Sequence, residues 1–364
     1  ELAASKPAAK YLTRFYLVMS LGGAIGGLFV GLIAPKIFSA YWEMLLGLGI
    51  LALMALILTA KYFTGIKQRP ILVAAPMAAI LSLVAVIYYA YDYDWLLKEG
   101  GTIHTERNFY GRLSVKQMGG GFSSPEAQRM MLHGTIVHGK EYVSEPYRRI
   151  PTSYYTETSG VGLALSHYRQ PQRKVGGVGM GVGTIATYGR KGDVFNFYEI
   201  NPEVVEIARN YFYFLSDSDA KVQIALGDGR LVLEKQPPQQ YDVLAVDAFS
   251  GDAVPVHLVT REALAIYLKH IKPNGSVAFH ITSRYLSLAP VIKKLADDAG
   301  YQAVMIADRP EGGRYSSKSD WVIVTKNKRL LNDPAVLKNS VKIDSVAGMR
   351  IWTDDFSNLF QILK

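Results

Sequence analysis

The sequence predicts an α/β protein with a doubly wound, mainly parallel sheet, preceded by a small β-rich segment and three transmembrane helices. Three observations predict it. Strand-like and helix-like segments alternate from residue 173 to about 330, a glycine-rich strand-to-helix turn opens that stretch, and three long apolar runs precede residue 92. We expect a membrane region over residues 1–92, a β-rich lead-in over 93–172 and a nucleoside-binding catalytic domain over 173–364.

The apolar runs are Phe15 to Ala34, Met44 to Ala60 and Ile71 to Tyr91, each of spanning length and free of charge. Aromatic residues such as Tyr11, Tyr41, Trp42, Tyr89 and Trp95 sit at their ends, where membrane interfaces favour them. Gly22, Gly23, Gly26, Gly27 and Gly31 give the first run overlapping G-x-x-x-G pairs, which let helices approach closely in lipid. Three helices make a thin bundle, so partner helices or a homo-oligomer are expected alongside membrane lipid. The start of the chain is not Met, as suits a fragment or a processed form. Lys6, Lys10, Arg14, Lys61, Lys67 and Arg69 fall on one side of the spans and Lys36 on the other, which by the positive-inside rule sets the C-terminal domain outside the cytosol. A nucleoside substrate is cytosolic, and the expectation is a multi-pass inner or plasma membrane protein with its catalytic domain in the cytoplasm.

In the lead-in, Phe109 to Lys116 alternates like a strand and Gly119-Gly120-Gly121 supplies a turn. His133 and His138 flank a short apolar core; they read as hydrogen-bonded structural residues before they read as a ligand pair.

Past residue 173 the segment R-K-V-G-G-V-G-M-G-V-G holds Gly176, Gly177, Gly179, Gly181 and Gly183. Glycines at such a turn let backbone approach a bulky ligand where a Cβ would collide. A small-residue helical segment follows, then a strand, Val194 to Tyr198, closed by Glu199, whose carboxylate suits ribose hydroxyls. Further strands are expected at Val222 to Leu226, Tyr241 to Val246, Ser276 to His280, Ala303 to Ala307 and Trp321 to Thr325. Helices are expected at Val204 to Phe214, Arg261 to His270 and Pro290 to Ala299. Glu199, Asp228 and Asp247 then fall at three strand tips, the end of such sheets where ligands collect.

Composition narrows the chemistry. With no cysteine among 364 residues, disulfides, thiolate catalysis and Cys-ligated zinc are excluded. The seven histidines lack metal-site spacing, so no metal is expected. The net charge of +9 is spread along the chain without aromatic interleaving, so nucleic acid is not an expected partner.

The stretches G-G-V-G-M-G-V-G, F-Y-E-I-N-P-E-V-V-E-I-A, L-G-D-G-R and Y-D-V-L-A-V-D-A-F-S-G-D resemble the spermidine synthase-like aminopropyltransferases, specifically bacterial membrane-fused forms. The resemblance implies a Rossmann-like fold of the class I methyltransferase type. It implies decarboxylated S-adenosylmethionine as co-substrate and a diamine or polyamine as acceptor. By it, Gly177, Gly179, Gly181 and Gly229 line the nucleoside, Glu199 holds the ribose and Asp228 the adenine amine. Asp247 becomes the base or electrostatic partner at the reacting amine, with Tyr155 of Y-T-E and Tyr315 shaping the substrate pocket. Asp252, Glu157, Asp354 and Asp355 are candidate anions for a distal ammonium. The family's loop usually carries an aspartate near the aminopropyl amine; Met180 stands there, and Ser250 replaces the second acid of D-x-x-D. Asp252 is expected to take over from the missing loop acid. A methyltransferase using intact S-adenosylmethionine and a non-catalytic nucleoside- or polyamine-binding membrane protein are the alternatives.

Overall fold

The computed structural model describes residues 7–63, 70–98, 100–120, 124, 126–249, 255–310 and 316–364. The chain divides into two compact units, Glu1–Ser114 and Val115–Lys364.

In the first unit, one helix among the described residues, Ala9–Ile37, is long and apolar enough to cross a membrane. It widens to π geometry over Phe29–Ile33. Leu17, Leu21 and Ile25 are exposed, and a Cβ built on Gly22, Gly23, Gly26, Gly27 or Gly31 would have no described atom within 4 Å. The helices Trp42–Phe63 and Pro70–Lys98 pack against each other. Strand β1 (Thr102–Asn108) is tied to the start of the first of these: the Arg107 guanidinium donates to both Glu43 carboxylate oxygens, at 2.6 and 2.8 Å, and to Ala40 O at 2.7 Å. Strand β2 (Gly111–Met118) runs across the boundary of the units.

The second unit begins with an antiparallel hairpin of β3 (Gln128–His133) and β4 (Ile136–Tyr142), with a bulge between Met131 and Leu132. Its main sheet has eight strands: β5 (Lys174–Val178), β6 (Val194–Glu199), β7 (Lys221–Leu226), β8 (Tyr241–Val246), β9 (Ile271–His280), β10 (Gln302–Asp308), β11 (Ser319–Thr325) and β12 (Ser340–Val341), in the order β12-β10-β11-β9-β8-β5-β6-β7. From β7 across to β9 all pairings are parallel; β11 and β12 run against their neighbours. The chain builds outward from β5 to β7, then returns to β8 on the other side of β5. That reversal opens a crevice at the carboxyl ends of β5 and β8.

Side-chain caps start the helices that link these strands. Asn201 accepts from Glu203 N ahead of Pro202–Tyr211, Asp228 from Leu231 N ahead of Gly229–Lys235, and Thr260 from Ala263 N ahead of Arg261–His270. The sheet core is aromatic, with Phe195, Tyr241, Tyr267, Phe279, Trp321 and Trp352 fully buried, so the C-terminal W-T-D-D-F segment is anchored in the core by its tryptophan. At the amino ends of β5 and β6, Arg173 and Asp193 form a wholly buried pair. Arg173 Nε and Nη2 donate to Asp193 Oδ2 at 2.9 and 2.6 Å, and the remaining N–H groups reach Leu165 O and Tyr188 O.

One local expectation fails. The segment after the glycine loop is a single 3₁₀ turn, Thr184–Tyr188, instead of a helix. Gly183 enters it at φ +85° and Gly189 ends it, which leaves too few residues for an α-helix to propagate. No helix dipole therefore faces the crevice at this loop.

Candidate active site

The crevice is assembled from the strand tips. Gly179 N–H donates to Tyr198 O and Asp247 N–H to Val178 O, so the end of β5 is laced to both neighbouring strands. A Cβ on Gly179, at φ +86°, would lie 2.2 Å from Asp247 O, and one on Gly181, at φ +54°, 2.8 Å from His138 O. These two glycines are needed for backbone conformation and close approach together. Gly177 and Gly229 have a packing reason: a Cβ there would strike Phe197 or Val178.

Glu199 is buried at the tip of β6 and turns back to the loop. Its carboxylate accepts from Met180 N at 3.0 Å and from Asn201 N at 2.9 Å. Burial raises its pKa, against the lowering effect of these backbone N–H groups; the nearby Asp247 adds to the rise. Asp228 divides its oxygens between the cap of its helix, Leu231 N at 3.0 Å, and His257 Nε2 at 3.0 Å. The oxygen that the resemblance assigns to an adenine amine thus already faces a half-exposed imidazole.

Asp247 follows β8 directly. The Tyr155 hydroxyl donates to its Oδ2, and His280 Nδ1, at the end of β9, lies 2.7 Å from its Oδ1. His280 Nε2 lies 2.7 Å from Thr282 Oγ1. The imidazole is stacked between Tyr154, with ring centres 4.5 Å apart, and Trp321, at 4.7 Å. Burial, and secondarily the Asp247 charge, drives the Tyr154 and Tyr155 hydroxyl pKa values up, so both stay protonated donors. The Tyr154–Tyr155 turn is pinned from β10 and β11: Thr156 and Thr158 hydroxyls donate to the buried Asp308 carboxylate, and Trp321 Nε1 to Tyr154 O.

A cavity of about 130 Å³ adjoins this cluster, lined among others by Val137, His138, Tyr154, Asp247, Phe249 and His280. Burial, with the neighbouring His133, lowers the His138 pKa to about 4, so that imidazole is neutral at physiological pH. Its wall suits the alkyl body of an amine beside one carboxylate.

The structure therefore gathers Tyr155, Asp247, Glu199, Gly179 and Gly181 at one crevice, with Asp228 and Gly229 at the next strand tip. Glu157 is exposed and does not line the cavity. Asp354 is engaged by Arg230, at 2.5 and 2.7 Å, and by Thr260. Asp252 and Tyr315, with Ser250, lie outside the described residues. Met180, where the family's loop acid would stand, is buried. Tyr154, His280, Thr282 and Trp321 carry no mark in the sequence reading. His280 could have been found by asking which residue ends each parallel strand, instead of which acid does.

No protein-family model matches the chain. Over 68 residues it is 41% identical to a polyamine aminopropyltransferase of Vibrio vulnificus (strain CMCP6), covering 18% of this chain and 22% of that protein. Over 221 residues it is 26% identical to a probable polyamine aminopropyl transferase of Bifidobacterium longum (strain NCC 2705), covering 59% and 44%. The chain thus spans less than half the length of the curated relatives it matches. Among solved structures, a probable spermidine synthase from Corynebacterium glutamicum superposes with a TM-score of 0.49 at 16% identity, over 70% of this chain and 99% of that one. The spermidine synthase from Thermotoga maritima gives 0.45 at 14% identity, over 70% and 81%. In these sequence matches the α/β part of this chain is similar to polyamine aminopropyltransferases.

Proposed function

We propose that this protein is a membrane-anchored aminopropyltransferase that moves an aminopropyl group from decarboxylated S-adenosylmethionine to a diamine or polyamine. The observation that carries the reading is Asp247: a buried carboxylate at the strand reversal, flanked by the glycine loop and oriented by Tyr155 and His280. The acceptor's amine nitrogen attacks the aminopropyl carbon next to the sulfonium. A C–N bond forms, the C–S bond breaks with its electron pair passing to sulfur, and 5′-methylthioadenosine leaves as a neutral thioether. An alkyl amine is largely protonated at neutral pH, so a proton must leave the nitrogen; Asp247 accepts it, or orients the free amine by accepting an N–H. Holding nitrogen, carbon and sulfur in line supplies the rest.

Glu199 takes the ribose hydroxyls, with Gly179 and Gly181 giving the nucleoside room. Asp228 meets the adenine amine once His257 yields or shares its oxygen. Tyr155 and the apolar wall of the cavity hold the acceptor chain, and Asp252, Tyr315 and Glu157 remain candidates for its far end. Three helices anchor the chain with its catalytic unit in the cytoplasm, and the uncontacted glycine face of Ala9–Ile37 meets a partner helix.

Mass spectrometry of products from each nucleoside with several amines tests this. The expected product is an aminopropylated amine, and Asp247→Asn should cut turnover by roughly 10²–10⁴ while nucleoside affinity holds. Methylated amine would favour a methyltransferase of the same fold. Nucleoside binding without product would favour a non-catalytic protein.

A further inference from the structure

A backbone group at the edge of the site sets the direction of a whole hydrogen-bond chain. Asp320 N–H, on β11, can only donate, and it donates to Thr282 Oγ1 at 2.8 Å. The Thr282 hydroxyl hydrogen is then free for its other neighbour, His280 Nε2, 2.7 Å away. On the far side of the ring Nδ1 faces Asp247 Oδ1 at 2.7 Å, and an ionised carboxylate accepts only. The carboxylate end therefore calls for hydrogen on Nδ1, which leaves the Nε2 lone pair to accept from the Thr282 hydroxyl.

The ring is also packed in place. Its side chain is 5% exposed, with Tyr154 and Trp321 on its two faces, tilted from it by 22° and 20°, and Phe249 at 4.9 Å edge-on. Tyr155 holds the second Asp247 oxygen. Each oxygen thus has one protein donor and keeps a lone pair for a ligand N–H.

We propose that His280 is a positioning residue for Asp247: held between Thr282 and the carboxylate, it presents Nδ1–H to Oδ1 and keeps the carboxylate aligned to accept an amine N–H. The kinetic consequence rests on the aminopropyl transfer proposed above, whereas the tautomer does not.

The test uses the full chain, labelled with ¹⁵N-histidine, with His280→Phe identifying the His280 signals. The wild type should show the Nδ1–H tautomer for His280, and Thr282→Val, which removes the hydroxyl while keeping the shape, should leave that tautomer in place and shift the Nε2 signal, which loses its donor. In turnover, His280→Phe keeps the stack and should lower kcat about 10²-fold, the scale for a misplaced reacting group, with 5′-methylthioadenosine affinity unchanged. His280→Gln, which retains a donor, should recover part of the loss. An Nε2–H tautomer in the wild type, or wild-type kcat in His280→Phe, overturns the proposal. If the wild type forms no aminopropylated product, the functional reading fails separately. Affinity for 1,4-diaminobutane, compared between wild type and His280→Phe, then decides the inference together with the tautomer.

Discussion

At the scale of single residues, the proposed function separates the site into groups that would hold a nucleoside and groups that would manage a proton. Glu199 belongs to the first and has a second task, since its carboxylate also fastens the glycine loop through Met180 N. Alanine would therefore confuse lost binding with a loosened loop. Glu199→Gln keeps the length and one acceptor, and should weaken 5′-methylthioadenosine binding by about 1–3 kcal/mol, the worth of a charge-assisted hydrogen bond. Calorimetric titration of the folded variant at wild-type affinity would remove Glu199 from the site. The pH dependence has a definite sign. On the proposed function ribose hydroxyls would donate to the ionised carboxylate, and burial raises its pKa, so wild-type affinity should begin to fall at a higher pH than a free glutamate would dictate. In Glu199→Gln that fall should be absent.

At the scale of elements, the parallel half of the sheet was legible because each strand from β5 to β8 is a short β-branched or aromatic run ended by glycine or an acid. The helix Arg261–His270 has the expected bounds, and β8 ends at Val246 as its sequence suggests. The 3₁₀ turn after the loop was not legible, since small residues between two glycines suit a helix equally well by composition. The reversed direction of β11 is a matter of long-range pairing that no local pattern encodes. Charged core residues were missed for a related reason. Arg173 and Asp193 read as surface until their partners are known, yet both side chains are 1% exposed. Removing one partner strands the other charge, so Arg173→Met should destabilise the second unit by about 3–5 kcal/mol. Denaturant unfolding of the variant checks this; a loss under 1 kcal/mol would mean that the pair contributes little. Replacing both, as Arg173→Met with Asp193→Leu, should recover much of the loss.

At the scale of the whole molecule, stability should depend on pH through one buried acid. Glu141 on β4 is fully buried; its Oε2 accepts from Tyr213 N at 2.8 Å and its Oε1 has no partner among the described residues. Burial raises its pKa to about 8, with Asp217 adding to the rise and Tyr213 N–H, Arg129 and Arg148 opposing it. The folded state then keeps a proton that the unfolded state releases near the ordinary glutamate value. Stability is fully present below that value and declines as pH rises toward about 8, by at most about 1.4 kcal/mol per pH unit. Thermal melts from pH 5 to 9 should show a flatter profile for Glu141→Gln than for wild type; parallel profiles would exclude Glu141 as the source. The way the site is distributed along the chain also has a consequence for synthesis. The glycine loop, Glu199, Asp228 and Asp247 are all translated before residue 248, whereas Asp308, Asp320 and Trp321 arrive late and from strands beyond β9. A polypeptide released before β10 would carry the strand-tip acids with Tyr155 and His280, but without the Asp308, Asp320 and Trp321 that hold these two against Asp247. On the proposed function, completion of the last strands therefore matters more to turnover than their distance from the glycine loop suggests.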